Sequence, residues 1–187
     1  MTGTRELELV ELVSADGVGC GTATVVAAHT APGQLHRAFS VLLFDGAGRT
    51  LLQRRAAVKT RFAHRWANTC CGHPAPDEPA AVAASRRLAE EIGVRGLELA
   101  EVGVYTYRAG DPATGRVEHE YDHVLVARVA TDIALAPDPA EVAGTRWTSA
   151  DELMAELARA ESQQEYAPWL SGVLQVAVPR LSDIGLN

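Results

Sequence analysis

The chain has 187 residues, a formal net charge of −7 and ordinary apolar and charged fractions of 47% and 22%, which suits one globular domain, 1–187, with a real core. Its acidic balance argues against a nucleic-acid surface, and no apolar run approaches the ~18–20 residues of a membrane span. Met1 to Val13 lacks the basic n-region of a signal peptide, and three cysteines, two of them adjacent, cannot build a disulfide framework, so a cytoplasmic protein is expected.

Residues 6–13 alternate strictly and read as a strand with Leu7, Leu9 and Glu11 on one face. Gly17, Gly19 and Gly21 break the chain, Thr22 to His29 suits either strand or short helix, and Pro32-Gly33 is a turn. His36 to Phe44 is a buried strand that Asp45-Gly46-Ala47-Gly48 folds back onto Thr50 to Arg54. Residues 55–67 are loop-like and end at Trp66. Asp77 can cap the next helix, Pro79 suits its first turn, Ala81, Ala84, Leu88 and Ile92 form its apolar stripe, and Gly93 ends it. Residues 99–108 and 119–129 read as paired strands joined by a polar loop, and 144–147 as a short strand. Ser149 and Glu152 make a capping box that opens a helix to about Ala160, and Pro168 begins a last helix to about Val178. Strands and helices in this irregular order read as α/β (α+β).

Several side chains could do chemistry. His29 and His36 flank the turn at Pro32-Gly33, His73 sits in a Cys-Gly-His turn, and Glu118 and Glu120 leave a strand on the same face. Together they would offer five N/O donors, a set better matched to octahedral Mn²⁺ or Mg²⁺ than to a tetrahedral structural Zn²⁺ site. On spacing alone, the histidines read equally well as surface or satisfied core residues. Glu78, Glu90 and Glu91 could share Mg²⁺ with a diphosphate, although Arg86–Glu90 and Arg87–Glu91 also have the i,i+4 spacing of ordinary ion pairs. Arg55 and Lys59, the sole lysine, could join Arg87 in neutralising phosphates. Arg54, Arg61 and Arg65 read as surface charges, and Trp169 as a core aromatic at a helix start.

From Gly72 the chain runs five residues to Glu78, seven more to Arg86, then Arg-Leu-Ala-Glu-Glu-Ile-Gly-Val. This register resembles the Nudix box, with Arg87 where that pattern has Glu. Preceded by Cys71-Gly72-His73, and accompanied by the segments AHT, LHRAFS, NTCCGHP and VEHE, it is similar to the type 1 isopentenyl-diphosphate isomerase branch of that fold. The resemblance covers roughly Val26 to Trp169. It implies a Nudix-like mixed β-sheet core flanked by helices, with extra N-terminal structure closing over the substrate.

The activity so implied interconverts isopentenyl and dimethylallyl diphosphate, a C5 isoprenoid diphosphate pair, through a tertiary carbocation and without flavin or NAD(P). It requires a water-free site with an acid, a base and aromatic faces. The resemblance gives the acid–base roles to Cys71 and Glu120, with Tyr107 bridging a proton, and leaves open which of the two donates first. It gives His29, His36, His73, Glu118 and Glu120 to a Mn²⁺ (or Zn²⁺) site, and Glu91 to Mg²⁺ with the diphosphate. Phosphate contacts fall to Arg55, Lys59 and Arg87, and the cation-facing ring to Trp169. The expected partner is the small-molecule diphosphate, with no nucleic acid and no membrane span, and the expected assembly is a monomer or weak dimer. The competing readings are a Nudix pyrophosphohydrolase, disfavoured by Arg87, and a silent diphosphate-binding module, disfavoured by the intact acid–base pair.

Overall fold

In the computed structural model, residues 5–159 and 164–185 are described. Nine strands share one mixed sheet: β1 (Leu9–Val13), β2 (Gly19–Thr24), β3 (His36–Phe44), β4 (Arg49–Arg55), β5 (Trp66–Ala67), β6 (Cys70–Gly72), β7 (Ala100–Gly110), β8 (Val117–Arg128) and β9 (Val142–Ser149). The helices are α1 (Val25–Ala28), α2 (Ala80–Glu91), α3 (Ala150–Leu157) and α4 (Leu170–Ala177), followed by a 3-10 turn, Val178–Ile184.

β3 is the axis of the sheet. Along one edge it pairs in parallel with β8 over nine register pairs, from His36↔Glu120 to Phe44↔Arg128. Its other edge is shared by β1 at His36, β6 at Phe39 to Val41 and β4 at Phe44. A strand buried on both faces has to be apolar on both, and alternate β3 residues serve two cores. Phe39, Val41 and Leu43 pack with Leu125 and Ala127 against Ala80, Ala83, Ala84 and Leu88 of α2 and its C-cap Ile92. Leu42 and Phe44 pack with Val124 and Val126 against Leu170, Val173, Leu174 and Ala177 of α4.

The second of these faces changes character along its length. Residues i, i+2 and i+4 of a strand share a face, so His36, Ala38 and Ser40 lie on the Leu42 side of β3, and Glu118, Glu120 and Asp122 on the Val124 side of β8. The apolar half of this face carries α4, and the polar half carries the candidate site.

Four sequence expectations are corrected. β1 is a strand, but Val10 and Val13 are its buried residues while Leu7 and Leu9 are exposed, because Val25 and Ala28 of α1 cover the Val10 face. Asp77 does not cap α2. It sits at φ 63°, Pro79 takes the N-cap position without a side-chain bond, and Glu78 instead accepts from the Ala75 N–H. The strand expected at 144–147 extends over Val142–Ser149, because seven residues of β4 pair with it. The last helix begins at Leu170, two residues after Pro168. The Ser149 cap holds, accepting from the Glu152 N–H at 3.2 Å, and the helix it opens runs to Leu157, with the expected end at Ala160 itself outside the described residues.

Gly172 lets α4 lie flat on β7: a Cβ there would stand 2.0 Å from Cζ of Tyr105, whose ring stacks on Tyr107. Gly172→Ala should therefore lower stability by about 1–3 kcal/mol, the usual cost of overpacking. Urea denaturation checks this, and a variant as stable as the parent would show that Tyr105 moves freely.

Candidate active site

The five proposed ligands converge. One donor atom from each of His29, His36, His73, Glu118 and Glu120 lies within 4.8 Å of all the others. α1 delivers His29 at its C-terminal end, the parallel register delivers His36 beside Glu120, and β6 delivers His73 immediately past its last residue.

The tautomers are set from outside the cluster. Nδ1 of His29 lies 2.7 Å from the Val25 carbonyl and Nδ1 of His36 lies 2.8 Å from the Gln34 carbonyl. A carbonyl oxygen only accepts, so both Nδ1 atoms carry the proton and both Nε2 lone pairs face inward. There, Nε2 of His29 meets Oε2 of Glu118 at 2.8 Å, acceptor against acceptor, and neither atom has a hydrogen-bond partner. Buried acceptors this close together can be satisfied by a shared cation, and three imidazole nitrogens with two carboxylates suit a divalent metal ion.

Charge around the cluster agrees with this. Burial works against ionisation of Glu118, but the Arg61 guanidinium 3.0 Å away holds its carboxyl down to about 2. Burial likewise opposes the charge on Glu120, and the neighbouring imidazoles of His36 and His73 keep it well below the ordinary carboxylate range. Burial lowers His73 to about 4, leaving it neutral near pH 7 as a ligand must be.

Arg61 is therefore no surface charge. It is 9% exposed and lies between Glu118 and Glu6, its Nη1 3.0 Å from Oε1 of Glu6. Periodicity could not reveal this, because the segment between Arg55 and Trp66 follows no strand or helix pattern. Arg54 is exposed, and Arg65 is half-buried.

Beside the cluster, the Tyr107 hydroxyl donates to Oε2 of Glu120 at 2.6 Å, placed there by the Tyr107↔Glu120 register of β7 with β8. Cys71 and Trp169 line the same cavity, which measures about 610 Å³ and also admits Arg55, Lys59, His73 and Arg87. Burial pushes the Cys71 thiol up to about 12, so near neutral pH it is the protonated form that meets the cavity. Trp169 has the Arg55 guanidinium 5.5 Å from its ring centroid and Phe62 edge-on at 5.4 Å. Its ring is thus both a wall of the cavity and part of the core. His64, His119 and His123 stay outside the ligand cluster.

The cationic end of the cavity is already neutralised by carboxylates. Lys59 pairs with Glu91 and Glu141, and Arg87 pairs with Glu90, Glu91 and Glu141. Arg55 donates to the carbonyls of Arg61 and Phe62, which hold its head group at the wall. Glu91 lies beneath Lys59 and Arg87 rather than on the wall, where burial is outweighed by Lys59 and then Arg87, which hold it near 2.

The NUDIX domain profile matches residues 34–170. An isopentenyl-diphosphate Delta-isomerase of Nocardia farcinica is 59% identical over 168 residues, covering 90% of this chain and 93% of that protein. The chain belongs to the Nudix-fold isopentenyl-diphosphate Delta-isomerase family. A Streptomyces coelicolor protein of the same name is 47% identical over 97% of this chain and 89% of its own length. In structure, a Deinococcus radiodurans protein superposes with a TM-score of 0.70 at 18% identity, covering 90% of this chain and 98% of that one, and so shares the fold.

For a member of this family, the sequence reading overlooks four residues that touch the site. Asp122 accepts from the Ser40 hydroxyl at 2.7 Å, and burial followed by the Glu120 charge pushes its carboxyl well above the ordinary range. The strand alternation that picks out Glu118 and Glu120 also predicts its position. Asn68, Glu6 and Glu141 have no comparable signal, because each reaches the site from a loop. Among the described residues, no helix is long and apolar enough to cross a membrane.

Arg61→Ala leaves Glu118 buried without its cation, which typically costs about 3–5 kcal/mol. The pairing lowers the carboxyl from 4.5 to about 2, so its contribution is present above pH 4.5 and fades as pH falls towards 2. Denaturant titrations should show a large wild-type-to-variant gap at pH 7 that narrows below pH 4.5. A gap independent of pH would exclude this pair as its source.

Proposed function

We propose that the chain interconverts isopentenyl and dimethylallyl diphosphate, the activity named for its relatives. The observation that carries this reading is the presence, on the wall of one cavity, of a protonated thiol at Cys71 and an ionised Glu120 that accepts from the Tyr107 hydroxyl. An acid and a base flanking a small hydrocarbon are what a double-bond shift needs. One group gives a proton to the terminal alkene carbon C4 to form the tertiary cation at C3, and the other removes a proton from C2, so that the double bond moves from C3–C4 to C2–C3. Tyr107, hydrogen-bonded to Glu120, conducts the proton between that carboxylate and the substrate. Trp169 offers its π face to the cation, and the apolar walls keep water from trapping it.

The diphosphate end falls to Arg55, Lys59 and Arg87. Carboxylates keep Lys59 and Arg87 in place and backbone carbonyls keep Arg55, and phosphate oxygens would replace those carboxylates with charge-assisted bonds. Glu91 is the residue that would hold Mg²⁺ with the diphosphate, and the box register supports this. A divalent ion on His29, His36, His73, Glu118 and Glu120 would fix Glu120 and tune its proton affinity, with Mn²⁺ favoured by the five-donor set. Three free thiols fit work in the reducing cytoplasm.

Incubation with isopentenyl diphosphate and Mg²⁺ in D₂O, followed by proton and phosphorus NMR, tests the reaction. Appearance of the allylic isomer with deuterium in the new methyl group and no free phosphate is expected. Released phosphate would instead indicate a hydrolase, and an unchanged spectrum with Mn²⁺ and reductant present would indicate a binding module.

Two variants separate the roles. Cys71→Ala should abolish isomerisation while substrate affinity is retained, and turnover close to wild type would sink the acid–base assignment. Arg55→Ala should weaken binding by about 1.5–3 kcal/mol, the value of a charged hydrogen bond. Unchanged affinity in calorimetry would remove it from the cradle.

A further inference from the structure

Asn68 is fully buried in the link between β5 and β6, and all of its polar capacity is directed. Its Nδ2 donates to the carbonyls of Cys70 at 2.8 Å and Val41 at 3.3 Å. Both partners only accept, so the amide cannot flip, and Oδ1 faces Cys71 and Trp169. Oδ1 there accepts two donors: the indole Nε1–H of Trp169 at 3.0 Å and the thiol of Cys71 at 3.5 Å. Trp169 lies 101 residues further along the chain, and this bond ties its ring edge to the turn that carries the thiol. Other contacts press on the ring from its sides, with Phe62 edge-on and Tyr107 tilted at 5.8 Å. Among the described residues, the Asn68 bond is the polar contact that sets the tilt of the indole in its own plane.

We propose that Asn68 is a positioning residue for the isomerisation: its Oδ1 is the shared acceptor that fixes the Cys71 thiol and the Trp169 ring relative to each other. This rests on the isomerase reading above. The thiol must reach one carbon while the ring face lies over the developing cation, and both relations depend on one oxygen. Displacements of about 1 Å at such a site cost up to about 100-fold in rate. Asn68 touches none of the cations assigned to the diphosphate, so its loss belongs in kcat and not in KM.

Asn68→Ala, Trp169→Phe and the double variant test this, since Phe keeps an aromatic ring but lacks the N–H. In proton–nitrogen NMR spectra without substrate, Asn68→Ala should move the Trp169 indole resonance upfield and leave those of Trp66 and Trp147 in place. Each single variant should lose roughly 10-fold to 100-fold in kcat with KM within about threefold, and the double variant should lose little more than the worse single one. An unmoved indole resonance, strictly multiplicative losses, or a loss confined to KM would overturn the role. If Asn68→Ala does not fold, Trp169→Phe alone decides, and wild-type kcat there overturns the proposal. The indole shift is read without substrate, so it stands apart from the isomerase reading, which fails if the wild-type protein does not turn over isopentenyl diphosphate.

Discussion

The parallel pairing of β3 with β8 places His36 in register with Glu120, and the rest of the site is arranged around that pair. Parallel neighbours need a long crossover, and here the crossover brings in the hairpin, the Cys71-Gly72-His73 turn, α2 and β7 before β8 begins. Two of these pieces then meet the same polar face: Cys71 through β6 on one edge of β3, Tyr107 through β7 on the far edge of β8. The face is affordable in a buried sheet because its far half is fully apolar and packs on α4. The carboxylates and imidazoles at the near half are held by partners outside the cluster.

Those outer partners decide what the cluster can do. The carbonyls of Val25 and Gln34 turn two imidazole lone pairs inward, and Arg61 takes the outer oxygen of Glu118. Without them, the histidines could rotate or protonate and the carboxylates could share protons, and the site would lose its preference for a cation. The same logic governs the other end of the cavity. Lys59 and Arg87 are costly to bury alone, and Glu91 and Glu141 keep them in place. Buried ion pairs add little net stability, so these carboxylates serve chiefly to leave no buried cation uncompensated at the cavity wall.

The C-terminal segment completes the enclosure. Trp66 bridges Tyr166, Gly172 allows close approach to Tyr105, and Trp169 is thereby lowered onto Asn68 and Tyr107. One aromatic ring therefore closes the core and faces the cavity, which couples the packing of α4 to the shape of the site.

Much of this was legible in the residues. A buried apolar run marked β3, and alternation placed Glu118 and Glu120 on one face of β8; the box register set α2, and Ser149 with Glu152 set the start of α3. These are signals of period 2 or 3.6, or of a cap, and they depend only on local backbone geometry. The sequence alone therefore determined the element order, the acidic composition and the chemical inventory of Cys71, His73 and the box. Tertiary structure decided which face of β1 is buried, because α1 covers it, and that Arg61 is interior, because Glu118 and Glu6 converge on it from distant strands and loops. It also decided that Asn68 joins Cys71 to Trp169, since a hydrogen bond across 101 residues leaves no trace in local spacing. Side chains that act through loops and long-range charge acquire their surroundings only when the sheet has closed.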